Sequence, residues 1–315
     1  MNGGAHHAVE GPPMPRLSAI GHRHRGSALL LVLWALILLS GAVFAYAKWI
    51  QADIRLHGQV NREIEARAMC HSGIAVGLHE LVNERTPGLD EDFAPDLGYR
   101  IRMVSEGGKL NIRHLIEGEQ PERLAILNMW LERRGLDYRE REVFIDCLLD
   151  FVDGDDVKHL NGLEDDNDYH PPNRPIESID ELEEVANSGP LLRSPGWKDD
   201  LTIYSQGPID LTAADESVLR LLGLGEANIA RFLVIRRGRD GVDGTPDDHE
   251  FKSVKEIQSF LGMGEAQFKK FVGIVTHKDP TMRVIAEGRS GNVTRQVEVV
   301  ARKGGANPQI LLWKE

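Results

Sequence analysis

The sequence predicts an α/β protein in which one long N-terminal helix packs on an antiparallel sheet and a large α-helical domain is inserted between early and late strands. Three observations carry this expectation. Residues 28–47 are an uncharged apolar run that passes into a helical pattern, and strand-like alternation occurs near residues 98–113 and again after residue 280. Helical periodicity fills the interval between those strands. A chain of 315 residues has room for a membrane anchor plus one large or two small domains.

The first element starts with the anchor. "ALLLVLWALILLSGAVFAYA" (residues 28–47) holds twenty residues without a charge, and a helix of that length spans the roughly 30 Å of a bilayer's hydrocarbon core. A secretory signal would have a shorter apolar region, of about 7–15 residues, before its cleavage site. Arg16, Arg23 and Arg25, with His22 and His24 beside them, precede the run against one acid, Glu10. The positive-inside rule therefore predicts a cytoplasmic N-terminus and a main domain across the membrane. Beyond Trp49, Ile54, Val60, Ile64, Ala68, Ile74, Leu78 and Leu81 recur at spacings close to one helical face, until Thr86-Pro87-Gly88 breaks the pattern.

The remaining elements follow in order. "GYRIRMV" and "KLNIRHL", separated by "SEGG", read as a β-hairpin, and "PERLAILNMWLERRG" and "YREREVFIDCLLDFV" read as helices. Residues 150–175 then hold eight acids against one lysine, Lys158. No core buries that many carboxylates unpaired. "SIDELEEVANSG" predicts a helix that starts at Ser178 and stops at Gly189-Pro190, and after "TIYSQGPIDL" another helix is expected with Thr212 or Asp215 as its cap. "SVLRLLGLGEANIARFLVIRRG" and "SVKEIQSFLGMGEAQFKKFVGIV" are imperfect copies with the spacing of a helix-hairpin-helix unit. Finally, "TMRVIAEGRSGNVTRQVEVVARKGG" gives two strands around a turn and "PQILLWKE" a third.

Charge and motifs narrow the function. A net charge of −12 argues against a general nucleic-acid binder, because phosphate backbones reward clustered cations. The paired glycine turns do expose backbone N–H groups where a phosphate can sit. A membrane-anchored DNA-binding or DNA-uptake protein is therefore the alternative reading, and it requires a basic face around Arg231, Arg236, Arg237, Arg239, Lys269 and Lys270. No hydrolase elbow, zinc-protease motif, P-loop or Cys-x-x-Cys is present, so no enzyme activity is expected. Cys70 and Cys147 are the only cysteines; they can pair outside the cytoplasm or remain as two buried thiols.

Basic residues, Gly26 and an immediate apolar helix resemble the class III leader of type IV pilins and type II secretion pseudopilins. That resemblance implies cutting by a prepilin peptidase between Gly26 and Ser27, with the helix left in the membrane. Ser27 stands where a larger apolar residue is usual, and Leu31 where the fifth mature residue is normally Glu. "EGGKLNI", "LLDFVDGDD", "GLEDDNDYHPPNRPIESIDELEEV" and "PIDLTAADESVLRLLGL", in that order, extend the resemblance over nearly the whole chain after Arg25. Together they resemble the minor pseudopilin K family of type II secretion, with Asp210 at a position where that family usually has asparagine.

The resemblance implies a pseudopilin fold with a helical insertion, in the inner membrane with its main domain periplasmic. Its divisions are a leader (residues 1–26), a transmembrane part (27–50), the pseudopilin helix with the first strands (51–115), the insertion (116–280) and the closing strands (281–315). It also implies a place at the pseudopilus tip with minor pseudopilins I and J, support of protein export, contact with exported substrates, and no catalysis. A tip subunit has no neighbour above it whose N-terminal amine a fifth-position Glu would pair with, so Leu31 fits that place.

Calcium is implied in the insertion, and the acidic stretch supplies the oxygen ligands that a hard cation needs. The candidates are Asp150, Asp153, Asp155, Asp156, Glu164, Asp165, Asp168 and Asn173. Asp153, Asp155 and Glu164 fit places one, three and twelve of an EF-hand, but Val157 and Lys158 occupy places five and six, so it is not one. "GRDGVDGTPDDHEF" offers a second candidate set, Asp240, Asp243, Asp247 and Asp248. His159, His170 and His249 lie beside these acidic loops and would be the residues of any transition-metal site.

Overall fold

The structure is a computed structural model that describes residues 25–79, 88–166, 168–304 and 307–315. The leader falls outside the described residues apart from the helical backbone at its end, as does the expected helix stop at Thr86-Pro87. Helix α1 runs Arg25–Gly77, and the chain divides into two compact units, Met1–Gln59 and Val60–Glu315. In the first unit the helix is long and apolar enough to cross a membrane, and Leu29, Leu33, Trp34, Ile37 and Phe44 are all more than half exposed. Lys48 lies over the Phe44 ring, and Trp49 stacks on Tyr46 at the end of the apolar run.

In the second unit, α1 ends earlier than its sequence pattern suggests. Its buried face is Ala66, Cys70, Gly73, Ile74 and Gly77, whereas Val60 and Ile64 of the predicted apolar face are exposed. Small residues are selected on the buried face because the helix lies close against the sheet. A Cβ on Gly288 would fall 2.0 Å from the Ala66 carbonyl oxygen, and one on Gly73 would fall 2.8 Å from Ile101.

Strands β1 (Gly88–Ala94) and β2 (Leu97–Ser105) open the sheet. The insertion follows, with β3 (Leu110–Asn111), α2 (Ile112–Ile116), α3 (Pro121–Arg133), α4 (Tyr138–Val152) and α5 (Gly189–Leu192). It continues with β4 (Leu201–Thr202), β5 (Ile209–Asp210), α6 (Glu216–Arg220), α7 (Glu226–Arg236), α8 (Val254–Leu261), α9 (Glu265–Phe268) and β6 (Val275–Thr276). Strands β7 (Thr281–Ser290), β8 (Val293–Arg302) and β9 (Gln309–Lys314) complete an antiparallel sheet of order β1-β2-β7-β8-β9. Alternate residues Ile101, Met103, Val284, Ala286, Val297 and Val299 turn from that sheet onto Cys70 and Ile74. A larger second core, with Leu127, Leu148, Phe151, Leu219, Phe232 and Ile257, holds the helical part. Cys70 lies in the first core and Cys147 in the second, both buried as free thiols.

Two local expectations are corrected. "KLNIRHL" does not form a hairpin with "GYRIRMV": β2 pairs with β1 and β7, and β3 pairs in parallel with β4. The reason lies in the intervening residues. The Glu106 amide donates to the Thr281 carbonyl (2.9 Å), and Asn111 caps α2 by accepting from the His114 amide (3.2 Å). "SEGG" is therefore a seam between sheet and insertion, with Gly107 and Gly108 tight against Asp279 and Ala213. "SIDELEEVANSG" is likewise shorter than expected. Ser178 and Glu181 form a capping box, but only a 3-10 turn (Ile179–Glu183) follows, and Gly189-Pro190 begins α5 instead of ending a helix.

The two copied segments each fold as helix, turn, helix. Gly223 and Gly262 share φ of 66°, and Gly225 and Gly264 hold matching extended caps at the start of α7 and α9. Asp215 takes the cap position of α6, without a side-chain bond to it.

Candidate cation-binding site

Helix α4 delivers Asp150 and Asp153 at its C-terminal end, with no basic residue in the last turn. The negative end of the helix dipole makes that an unfavourable place for two carboxylates unless a cation offsets them. Asp150 is fully buried. Its Oδ1 accepts from the His159 amide (3.0 Å) and from His159 Nδ1 (2.5 Å), while His159 Nε2 lies 3.3 Å from Glu119.

The other Asp150 oxygen, Oδ2, is buried with no partner among the described residues. So are Asp153 Oδ1, both Glu164 carboxylate oxygens and Asn173 Oδ1. An unsatisfied buried acceptor costs about 1–3 kcal/mol, and more when it is charged. Gly162 belongs to the same arrangement, since a Cβ there would sit 1.8 Å from Asp150 Oδ2.

The electrostatics agree with this geometry. Burial first, then the charges of Asp155 and Asp150, pushes the Asp153 carboxyl above its ordinary range. Burial and the charges of Asp150 and Asp153 do the same to Glu164. Burial alone would lower the His159 pKa, but its bonds to Asp150 and Glu119 raise it. Among the described residues, Asp150, Asp153 and His159 place ligand atoms within 4.8 Å of one another.

Of the eight candidates in the acidic stretch, the unsatisfied buried oxygens belong to Asp150, Asp153, Glu164 and Asn173. Asp155, Asp156, Asp165 and Asp168 are exposed; Asp155 accepts from the Val157 amide, and Asp165 pairs with His170. Residue type and spacing do not point to Gly162 or Glu119, and the signal for His159 was only its place beside acids. Three carboxylates and an amide, all oxygen donors at a helix end and the loop after it, match the coordination taste of calcium; backbone carbonyls and water complete the usual six to eight ligands.

The second candidate set is arranged differently. Asp243 receives Arg236 through two bonds (2.8 and 2.9 Å) and Arg237 through a third (2.9 Å). Asp247 accepts from the amides of Arg239 (2.6 Å) and Asp240 (3.3 Å) and from Thr245, which, with the Thr245 bond the largest cause, lowers its pKa to about 2. Asp240 accepts from the Val242 amide and Asp248 from the Gly244 amide. These carboxylates thus already hold protein donors. Arg236 is buried and also donates to the carbonyls of Leu211 and Ala214, so it is withdrawn from the basic face that DNA binding requires.

No family model matches the chain, and no curated protein matches it. Among solved structures, a chain from the crystal structure of the GspK-GspI-GspJ complex of the enterotoxigenic Escherichia coli type 2 secretion system is similar, with a TM-score of 0.59 at 11% identity. The match covers 84% of this chain and 98% of that one. At this identity the likeness establishes the fold: a pseudopilin-like helix and sheet with added helices, as the sequence predicts.

Proposed function

We propose that this chain is a non-enzymatic minor pseudopilin of type II secretion, anchored in the inner membrane by the apolar half of α1. Its periplasmic part sits at the tip of the pseudopilus with minor pseudopilins I and J and supports export across the outer membrane. The observation that carries this reading is that an insertion of this size, built into a helix-on-sheet frame, follows nearly the whole length of a chain from a GspK-GspI-GspJ complex. "EGGKLNI" and "PIDL" supply the two seams between sheet and insertion. Leu31 in place of an acid, and exposed Val60 and Ile64 on α1, support a subunit that meets neighbours along one helix and has none above it.

In this reading a calcium ion is held by Asp150, Asp153, Glu164 and Asn173. It supplies positive charge to a buried acidic group at the end of α4 and fixes the loop that follows. Prepilin peptidase cuts between Gly26 and Ser27. Co-expression with minor pseudopilins I and J, followed by affinity capture of the full-length chain from detergent, tests the assignment. Recovery of a ternary complex is expected, and repeated failure to retain either partner would remove it. N-terminal sequencing of the captured chain should read from Ser27.

A further inference from the structure

A cavity of about 850 Å³ opens beside β9, walled by α2, the segment around Ile176 and the turn at Ile203–Gly207. Two guanidinium groups line it, those of Arg113 and Arg302. Arg113 donates to the Ile176 carbonyl, and Arg302 Nη2 donates to the Tyr204 carbonyl (3.3 Å), while Arg302 Nε is buried without a partner among the described residues. Neither has a carboxylate partner among the described residues, although the chain carries 49 Asp and Glu against 37 Lys and Arg. Four carboxylates share the lining and are turned to other tasks: Glu117 meets Arg123, Glu119 meets His159, Glu177 lies 3.7 Å from Arg174, and Asp153 belongs to the candidate cation site. Two guanidinium groups that meet only carbonyls, in a strongly acidic chain, mark a place for an external anion.

The cavity's other wall says what kind. Among the described residues strand β9 is the last in the sheet, with no neighbour on its outer side, and its pairing with β8 slips between Val300 and Ala301. That bulge leaves Leu311 out of the register, and Leu311 lines the cavity. Beside it, Ile203 and Ile176 form an apolar floor. Ile310 and Trp313 of the same edge are 45% and 44% exposed. An open edge supplies backbone donors and acceptors, a pocket takes one side chain, and guanidinium groups take a carboxylate. These are the components of strand addition by a peptide.

We propose that this cavity and the β9 edge form a docking site for an extended, acidic segment of a partner protein. The segment adds as a strand to β9, places an apolar side chain against Leu311 and Ile203, and sets an Asp or Glu carboxylate on Arg113 and Arg302. The site is separate from the α1 face invoked for the pseudopilus neighbours, so it stands or falls apart from that reading.

Fluorescence polarisation with the full-length chain in detergent tests it, using the labelled peptide TVDVDVT and its amide counterpart TVNVNVT. The acidic peptide should bind at least tenfold more tightly. Arg302→Gln and Arg113→Gln should each abolish that preference while leaving the melting temperature within a few degrees. Should either arginine variant misfold, Leu311→Glu, at the open rim, should weaken TVDVDVT binding by tenfold or more. Equal binding of the two peptides, binding unchanged in a folded arginine variant, or complete displacement by 10 mM phosphate would each overturn the proposal, the last by reducing the site to a small-anion pocket.

Discussion

The two oxygens of Asp150 differ: Oδ1 is locked by His159, and Oδ2 is buried with no hydrogen-bond partner among the described residues. Sequence composition pointed to the acidic stretch but not to which four of its residues would lose water, because burial is decided by how α4 and the loop after it pack. A ligand that binds only the native state at a hundred times its Kd adds about 2.7 kcal/mol of stability. The full-length protein should therefore melt at a higher temperature in calcium than in EGTA. Asp150→Asn and Glu164→Gln, which remove charge with little change of shape, should each erase most of that difference. Identical melting curves of the unmutated chain with and without calcium would count against the site. A different pH dependence belongs to Asp247. Its pKa is lowered to about 2 by the Thr245 hydroxyl and the Arg239 and Asp240 amides. A depressed carboxylate contributes stability above its unfolded pKa and loses it as pH falls through the folded value. The stability gap between the unmutated chain and Asp247→Asn should thus be full above pH ~4 and close towards pH ~2. Thermal melts across that window would show it.

At the level of elements, what was legible depended on whether a segment's own side chains meet the core in a regular period. Helices α3 and α4 and strands β7 and β8 were legible because each turns its apolar residues onto one core, as the alternation of buried positions along β7 shows. Strand β1 was not, since "GLDEDFA" buries none of its residues and is held by its backbone pairing with β2. The α1 face was legible only in part for a related reason: Ile74 is buried as its spacing predicts, whereas Val60 and Ile64 are exposed. Hydrophobicity marks Val60 and Ile64, but close helix-to-sheet packing selects Ala66, Gly73 and Gly77. Gly288 is where the packing is closest, because its amide donates to Cys70 Sγ (3.1 Å) and an added methyl would meet the Ala66 carbonyl. Gly288→Ala should cost at least the 1–3 kcal/mol typical of overpacking. Gly189→Ala, which meets nothing within 4 Å, should stay within about 0.5 kcal/mol. Urea titration of both variants measures the contrast, and similar midpoints would show that α1 does not press on the sheet there.

For the whole molecule, the question is how an inserted helical core is held to a five-stranded sheet. The motifs that carried the family resemblance converge on the answer. The Asp210 amide donates to the Gly107 carbonyl (2.8 Å), and the Asp279 amide donates to Asp210 Oδ2 (2.9 Å). Asp279 in turn accepts from the amides of Gln206 (2.7 Å) and Thr281 (2.8 Å). At the centre lies Glu106, fully buried, which accepts from Arg283 of β7 (2.6 Å) and from the Thr202 hydroxyl of β4. One carboxylate thus ties a strand of the sheet to a strand of the insertion. Removing one partner of a buried ion pair typically costs about 3–5 kcal/mol, because the other charge stays desolvated. Here Glu298 still pairs with Arg283, so the lower end applies. Glu106→Ala should therefore destabilise by about 3 kcal/mol. It should also separate the melting of the two cores, because the bonds it removes lie between them and the apolar contacts within each core are untouched. Calorimetry should show one transition split into two, with the sheet core retaining its own. A single transition shifted downward without splitting would mean that Asp210 and Asp279 hold the seam without Glu106.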